Sequence, residues 1–152
     1  MTQAGDSIDD DTTLSEVRAE AAELTERILR ARDAYYGDDA EIVTPALSGS
    51  LLPGITRQSL LQVAEDMGYK VTERRITAEE WQRDVESGKM AEAFACGTAA
   101  VITPVGRILG EDTDFSVNNN EAGEVSMALR ERLTGIQRGA VEDAHGWLHN
   151  LV

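Results

Sequence analysis

Two short loops divide this chain more firmly than any other feature. Leu51-Leu52-Pro53-Gly54-Ile55-Thr56-Arg57 holds a Pro-Gly pair that fits neither a helix interior nor a central strand. Ala95-Cys96-Gly97-Thr98-Ala99-Ala100 places a Gly-Thr corner between two apolar, β-prone segments. Pro53-Gly54 therefore marks a loop that opens a helix from about Thr56 to Met67, closed by Gly68. Loops of this composition can turn backbone N–H groups toward an anion such as a phosphate or carboxylate. Gly54, Ile55, Thr56, Gly97, Thr98 and Ala99 are thus candidate anion- or ligand-binding residues, although both loops are also ordinary turn chemistry.

Alternating elements surround the two loops. Glu41 to Thr44 reads as a short strand, Val71 to Ile76 as another, and Thr77 with Glu80 as a capping box for a helix from about Ala78 to Ser87. Met90 to Ala95 and Ala99 to Ile108 read as strands, Asn118-Asn119-Asn120 as a turn, and Glu124 to Arg138 as a final helix. Trp147 to Val152 is an apolar tail expected to pack on the core. Upstream, residues 1–12 read as a disordered acidic arm. Thr13 and Glu16 then cap an amphipathic helix whose stripe Leu14, Val17, Ala21, Leu24, Ile28 and Ala31 suits intramolecular docking or a dimer interface. The expected fold class is α+β in one domain, 13–152, with 13–36 as an added helix.

With 152 residues there is room for one core. A net charge of −14 disfavours nucleic acid and anionic membranes as partners, since counterion release needs clustered Lys and Arg. No apolar run reaches the roughly 20 residues that span a bilayer, and the acidic N-terminus is unlike a signal peptide, which points to the cytoplasm. The single cysteine, Cys96, excludes an internal disulfide and a multi-cysteine metal site, and reads most simply as a small buried residue. No metal site is expected.

From Ile42 to Val152 the chain resembles the C-terminal part of the branched-chain amino acid aminotransferases, fold-type IV enzymes that use pyridoxal phosphate. The resemblance is carried by Val43-Thr44-Pro45-Ala46-Leu47-Ser48-Gly49, Leu52-Pro53-Gly54-Ile55-Thr56-Arg57, Glu73-Arg74-Arg75-Ile76, Phe94-Ala95-Cys96-Gly97-Thr98-Ala99-Ala100, Gly135-Ile136-Gln137-Arg138-Gly139 and His145-Gly146-Trp147. It implies a mixed sheet or pseudo-barrel with flanking helices, and a dimer with its active site near the interface. It also implies that Gly54-Ile55-Thr56 and Thr98 bind the cofactor phosphate, while the Thr98-Ala99 amides bind the substrate carboxylate.

Several groups that the resemblance calls for are not matched, among them the phosphate-binding arginine and the tyrosine of the small domain, and Asp33 aligns where the family has Asn. The lysine that carries the cofactor lies in this family well upstream of the Leu-Pro-Gly-Ile-Thr-Arg motif, and neither Lys70 nor Lys89 matches its position. The glutamate that holds the pyridine nitrogen protonated aligns, without gaps, with Ile28, and Glu23 or Glu26 would replace it only under a slipped register. The expected function is therefore a truncated, lysine-less, pyridoxal-phosphate-independent domain repurposed to bind a small molecule, as a cyclase or isomerase in specialised metabolism. Glu73, Glu92, His145, His149, Tyr35 and Tyr36 are its candidate acids and bases, acting beside the anion-binding amides. The alternatives are a non-catalytic partner subunit of a split or intact aminotransferase, or a phosphate- or carboxylate-binding module. A homodimer or an aminotransferase-like partner protein is expected, with no cofactor.

Overall fold

The computed structural model describes residue 19, residues 40–49, 51–111 and 113–149, and residue 151. The acidic arm, all of the first helix but Ala19, and Tyr35 and Tyr36 lie outside the described residues.

The first described unit is strand–helix–strand. Strand β1, Glu41–Pro45, leads through the Leu51-to-Gly54 loop into helix α1, Ile55–Asp66, and returns as strand β2, Lys70–Arg74. β2 pairs with β1 in parallel, with Glu41 opposite Lys70 and Pro45 opposite Arg74. Parallel strands need a crossover, and α1 supplies it. Leu60, Val63, Ala64 and Met67 fall on one face of α1 by their spacing of three and four, and all four are buried. The helix stops in a Schellman motif: Gly68 N–H donates to the Glu65 carbonyl (2.9 Å) and Tyr69 N–H to that of Ala64 (3.0 Å). Gly68 has φ +81°, a conformation that favours glycine, and the motif delivers buried Tyr69 to the start of β2.

Helix α2, Ala78–Glu86, begins at Thr77, whose Oγ1 accepts from Glu80 N–H (3.1 Å). The reciprocal half of the expected capping box is replaced by an ion pair, since the Glu80 carboxylate reaches Arg74 Nη1 at 2.6 Å. Strands β3, Phe94–Gly97, and β4, Val101–Pro104, form an antiparallel hairpin around the turn Thr98 to Ala100, with Val101 at φ +58°. β5, Arg107–Leu109, pairs antiparallel with β6, Asp114–Ser116, and Asn118 to Asn120 all turn at positive φ, which asparagine tolerates better than most residues. Helix α3, Glu124–Gln137, completes the set.

The mixed helix and strand content agrees with the expected class. The strands, however, pair two by two among the described residues, not in one continuous mixed sheet. The core lies where α1 meets α3 over the β3–β4 hairpin: Leu60, Val63, Ala64, Met67 and Tyr69 pack with Ile102, Ala128, Leu129, Leu133 and Ile136. Trp81 of α2 meets Phe115 of β6 edge-on, ring centroids 6.2 Å apart, outside that core. No helix among the described residues is long and apolar enough to cross a membrane.

The C-terminal tail departs from expectation. Leu148 is 44% and Leu151 99% exposed, so the apolar tail does not pack on the core. Polar contacts hold it instead. His145 Nε2 lies 2.6 Å from Asp66 Oδ2 at the end of α1, and its ring stacks on Trp147 at 4.7 Å. The Asp143 carboxylate accepts from the N–H groups of Leu148 (2.7 Å) and His145 (3.2 Å). Chiefly the Leu148 N–H, with help from those of His145, Trp147 and Gly146, holds the Asp143 carboxyl below its usual 3.8. A carboxyl depressed on folding stabilises above its unfolded value and loses that contribution as pH falls through its lower folded value. The tail is therefore expected to stay ordered to below pH 3.8. Trp147 fluorescence in a Trp81→Phe background checks this, with Asp143→Ala reporting the released tail at every pH.

Candidate functional site

The strand–helix–strand unit determines where α1 begins. Its N-terminus stands at the carboxyl ends of β1 and β2, the edge at which open α/β units hold ligands. The first N–H groups of a helix have no carbonyl one turn earlier, and here the Gly54 cap position carries no side-chain hydrogen bond and the first turn no acidic residue. Helices α2 and α3 differ: Thr77 caps α2, and the Glu92 carboxylate accepts from Val125 N–H (3.0 Å), Ser126 N–H (2.9 Å) and Ser126 Oγ (2.7 Å) at the start of α3.

The second loop lies beside the first. α1 packs against β3, and the Cys96 thiol is pushed up by desolvation from neighbouring atoms, offset in part by the nearby Arg57 charge. Gly97 and the turn Thr98 to Ala100 follow directly on from Cys96. Among the described residues, a Cβ placed on Gly54 or on Gly97 would meet nothing within 4 Å, so those residues leave open space before both loops. Thr56 is half-buried, while Thr98 and Ala99 are exposed. Cys96 is exposed, contrary to the expectation of a buried residue, because it sits at the hairpin end and not under it.

Arg57 links this corner to the strands. Its Nε donates to Thr44 Oγ1 (3.3 Å), and its Nη2 donates to the Pro45 carbonyl (3.0 Å) and to Glu73 Oε2 (2.5 Å). Local sequence patterns do not pair Arg57 with Glu73; the crossover brings them together.

The candidate acids and bases are not gathered at this site. Glu73 is bound to Arg57, Glu92 caps α3, and His145 pairs with Asp66 at the opposite end of α1. His149 is exposed on the tail. The two lysines are also engaged at the surface: Lys70 Nζ lies 3.1 Å from Glu41 Oε1, and Lys89 Nζ 3.0 Å from the buried Asp84 carboxylate.

Residues 9–108 match the model of the amino-transferase class IV family. Over 115 residues the chain is 56% identical to the branched-chain-amino-acid aminotransferase of Mycolicibacterium smegmatis and 57% to that of Mycobacterium tuberculosis, alignments covering 76% of this chain and 31% of each relative. A crystal structure of the Escherichia coli branched-chain amino acid aminotransferase superposes with a TM-score of 0.60 at 31% identity, over 74% of this chain and 34% of that one. The chain thus spans about a third of the length of the relatives it matches.

These relatives overturn the expectation of a pyridoxal-phosphate-independent cyclase or isomerase, and with it the expectation of no cofactor. Neither alternative, a non-catalytic partner subunit or a phosphate- or carboxylate-binding module, fits them better. That expectation rests on the unmatched groups, whereas more than half of the aligned residues are those of aminotransferases. The open loops and the donor set, backbone N–H groups and threonine hydroxyls around a helix start, suit a phosphate. The chain belongs to the class IV aminotransferase family.

Proposed function

We propose that this chain forms the phosphate-cradle region of a branched-chain-amino-acid aminotransferase that works with pyridoxal phosphate as a homodimer. In this reading the Ile55 and Thr56 amides, freed by Gly54, and the Thr98 hydroxyl hold the cofactor phosphate. The Thr98 and Ala99 amides face the substrate carboxylate. When bound, the cofactor supplies the electron sink through which an amino group passes between an amino acid and a 2-oxo acid.

One observation carries the reading: a helix start without a side-chain cap and a Gly-Thr turn stand together before space that the described residues leave open, in a chain whose relatives are branched-chain aminotransferases. Each side then has a physical role. The α1 dipole and first-turn amides favour the phosphate dianion, and the hydroxyls of Thr56 and Thr98 add charge-assisted hydrogen bonds. The glycines leave room for the ligand to approach the backbone. Lys70 and Lys89, paired with Glu41 and Asp84, are not assigned the cofactor-bearing role. Glu73, Glu92 and His145 are structural groups, each committed to the partner described above.

Pyridoxamine 5′-phosphate tests the cradle, because it needs no lysine to bind. Titrated calorimetrically into the protein, it is expected to bind saturably and at least about tenfold more tightly than pyridoxamine, as charge-assisted hydrogen bonds to the phosphate require. Thr56→Val and Thr98→Val are each expected to weaken the phosphorylated ligand about tenfold and leave pyridoxamine unchanged. Equal affinity for the two ligands would contradict the assignment.

A further inference from the structure

We infer that Arg57 is a positioning residue for the cradle: through Thr44, Pro45 and Glu73 it fixes the first turn of α1, and it does not itself bind the anion. The inference rests on the reading of the Gly54 and Gly97 loops as a phosphate cradle. Arg57 follows Thr56 directly, so an arginine so close to a phosphate site could be taken as a ligand for it.

The contacts point the other way. Nη2 is shared between the Pro45 carbonyl and Glu73 Oε2, and Nε is spent on Thr44 Oγ1. The side chain is only 12% exposed, and Glu73 neutralises its charge. Thr44 and Pro45 end β1, and Glu73 lies next to the last residue of β2, so one guanidinium ties both parallel strands to the helix start. The Gln58 N–H to Gly54 carbonyl bond, 3.1 Å, closes the turn that Arg57 anchors. A planar fork can meet three acceptors in fixed directions, which an ammonium cannot reproduce. The phosphate would then be met by neutral amides and hydroxyls held rigidly in place, with the nearby cation already compensated.

Glu73→Gln distinguishes the two roles by sign. If Arg57 positions the cradle, this change loosens it and weakens pyridoxamine 5′-phosphate binding about tenfold, with pyridoxamine unchanged. Were Arg57 an anion ligand, freeing its charge would tighten phosphate binding, and that result would overturn the inference. Arg57→Lys keeps the charge and is expected to show the same loss as Glu73→Gln; full retention of affinity would also overturn it. Amide NMR of the ligand-free variants gives a second readout. The Ile55, Thr56 and Gln58 resonances are expected to move in both variants, while those of Val125 and Ser126 stay in place. If the unaltered protein binds neither ligand, the cradle reading fails, and these amide shifts alone decide whether the clamp exists.

Discussion

Gly123→Ala is expected to destabilise the protein by about 3 kcal/mol, a large fraction of what holds a domain of this size together. Gly123 precedes the first turn of α3, and a methyl group on it would fall inside the Glu92 carboxylate. That carboxylate cannot move aside cheaply. It accepts from two backbone N–H groups and the Ser126 hydroxyl, and Ser126 is fully buried, so displacing Glu92 leaves buried donors unsatisfied. Loss of an N-terminal cap alone costs about 1 kcal/mol, and a negative charge at a helix start adds to that. Urea unfolding of the variant is the check, and Glu92→Gln, which keeps an acceptor in place, is expected to lose less. A Gly123→Ala protein as stable as its parent would mean that Glu92 does not cap α3.

Leu129→Ala is expected to cost about 4 kcal/mol, which at this chain length lowers the midpoint of thermal unfolding by roughly 10 °C. Leu129 is fully buried on the inner face of α3, in the cluster with Leu60, Val63, Ile102 and Leu133. Two helices and a strand supply that cluster, so the walls of the resulting cavity cannot close on it without shifting whole elements. Met127, on the same helix but 39% exposed, provides the internal comparison. Met127→Ala is expected to stay within about 0.5 kcal/mol of the parent. Calorimetry of the two variants side by side checks the contrast.

Local signals were enough for the elements on either side of the candidate site. Gly68 after a run of Leu60, Val63 and Ala64 predicts the end of α1, and the Schellman bonds at Gly68 and Tyr69 occur there. Thr77 predicts the start of α2 and accepts from Glu80 N–H. Met90 to Ala95 misleads because apolar composition suggests a strand throughout, whereas β3 begins only at Phe94. A glutamate in that run, Glu92, was the sign of another role, but its partners on α3 lie 33 and 34 residues away and no local pattern points to them. The tail fails for a similar reason. Its leucines suggest burial, but Asp143 and His145 anchor it by hydrogen bonds.

Both loops of the candidate site were legible as glycine- and threonine-rich turns, and the strand–helix–strand unit places one of them at a helix start. What stayed hidden was the pairing that organises them, because Arg57 and Glu73 meet only once β2 lies beside β1. The unmatched groups point away from aminotransferase chemistry, although Gly54, Thr56, Gly97 and Thr98 are all in place. Residues present in their folded setting, together with relatives at 56% and 57% identity, outweigh that inference.

Amide chemical-shift mapping during titration with pyridoxamine 5′-phosphate addresses the cradle most directly, since it reports on the N–H groups said to hold the phosphate. The largest shifts are predicted at Ile55, Thr56, Thr98 and Ala99, with Glu80 at the capped start of α2 and Val125 and Ser126 at that of α3 unmoved. Shifts concentrated at α2 or α3, or none at the two loops, would contradict the account.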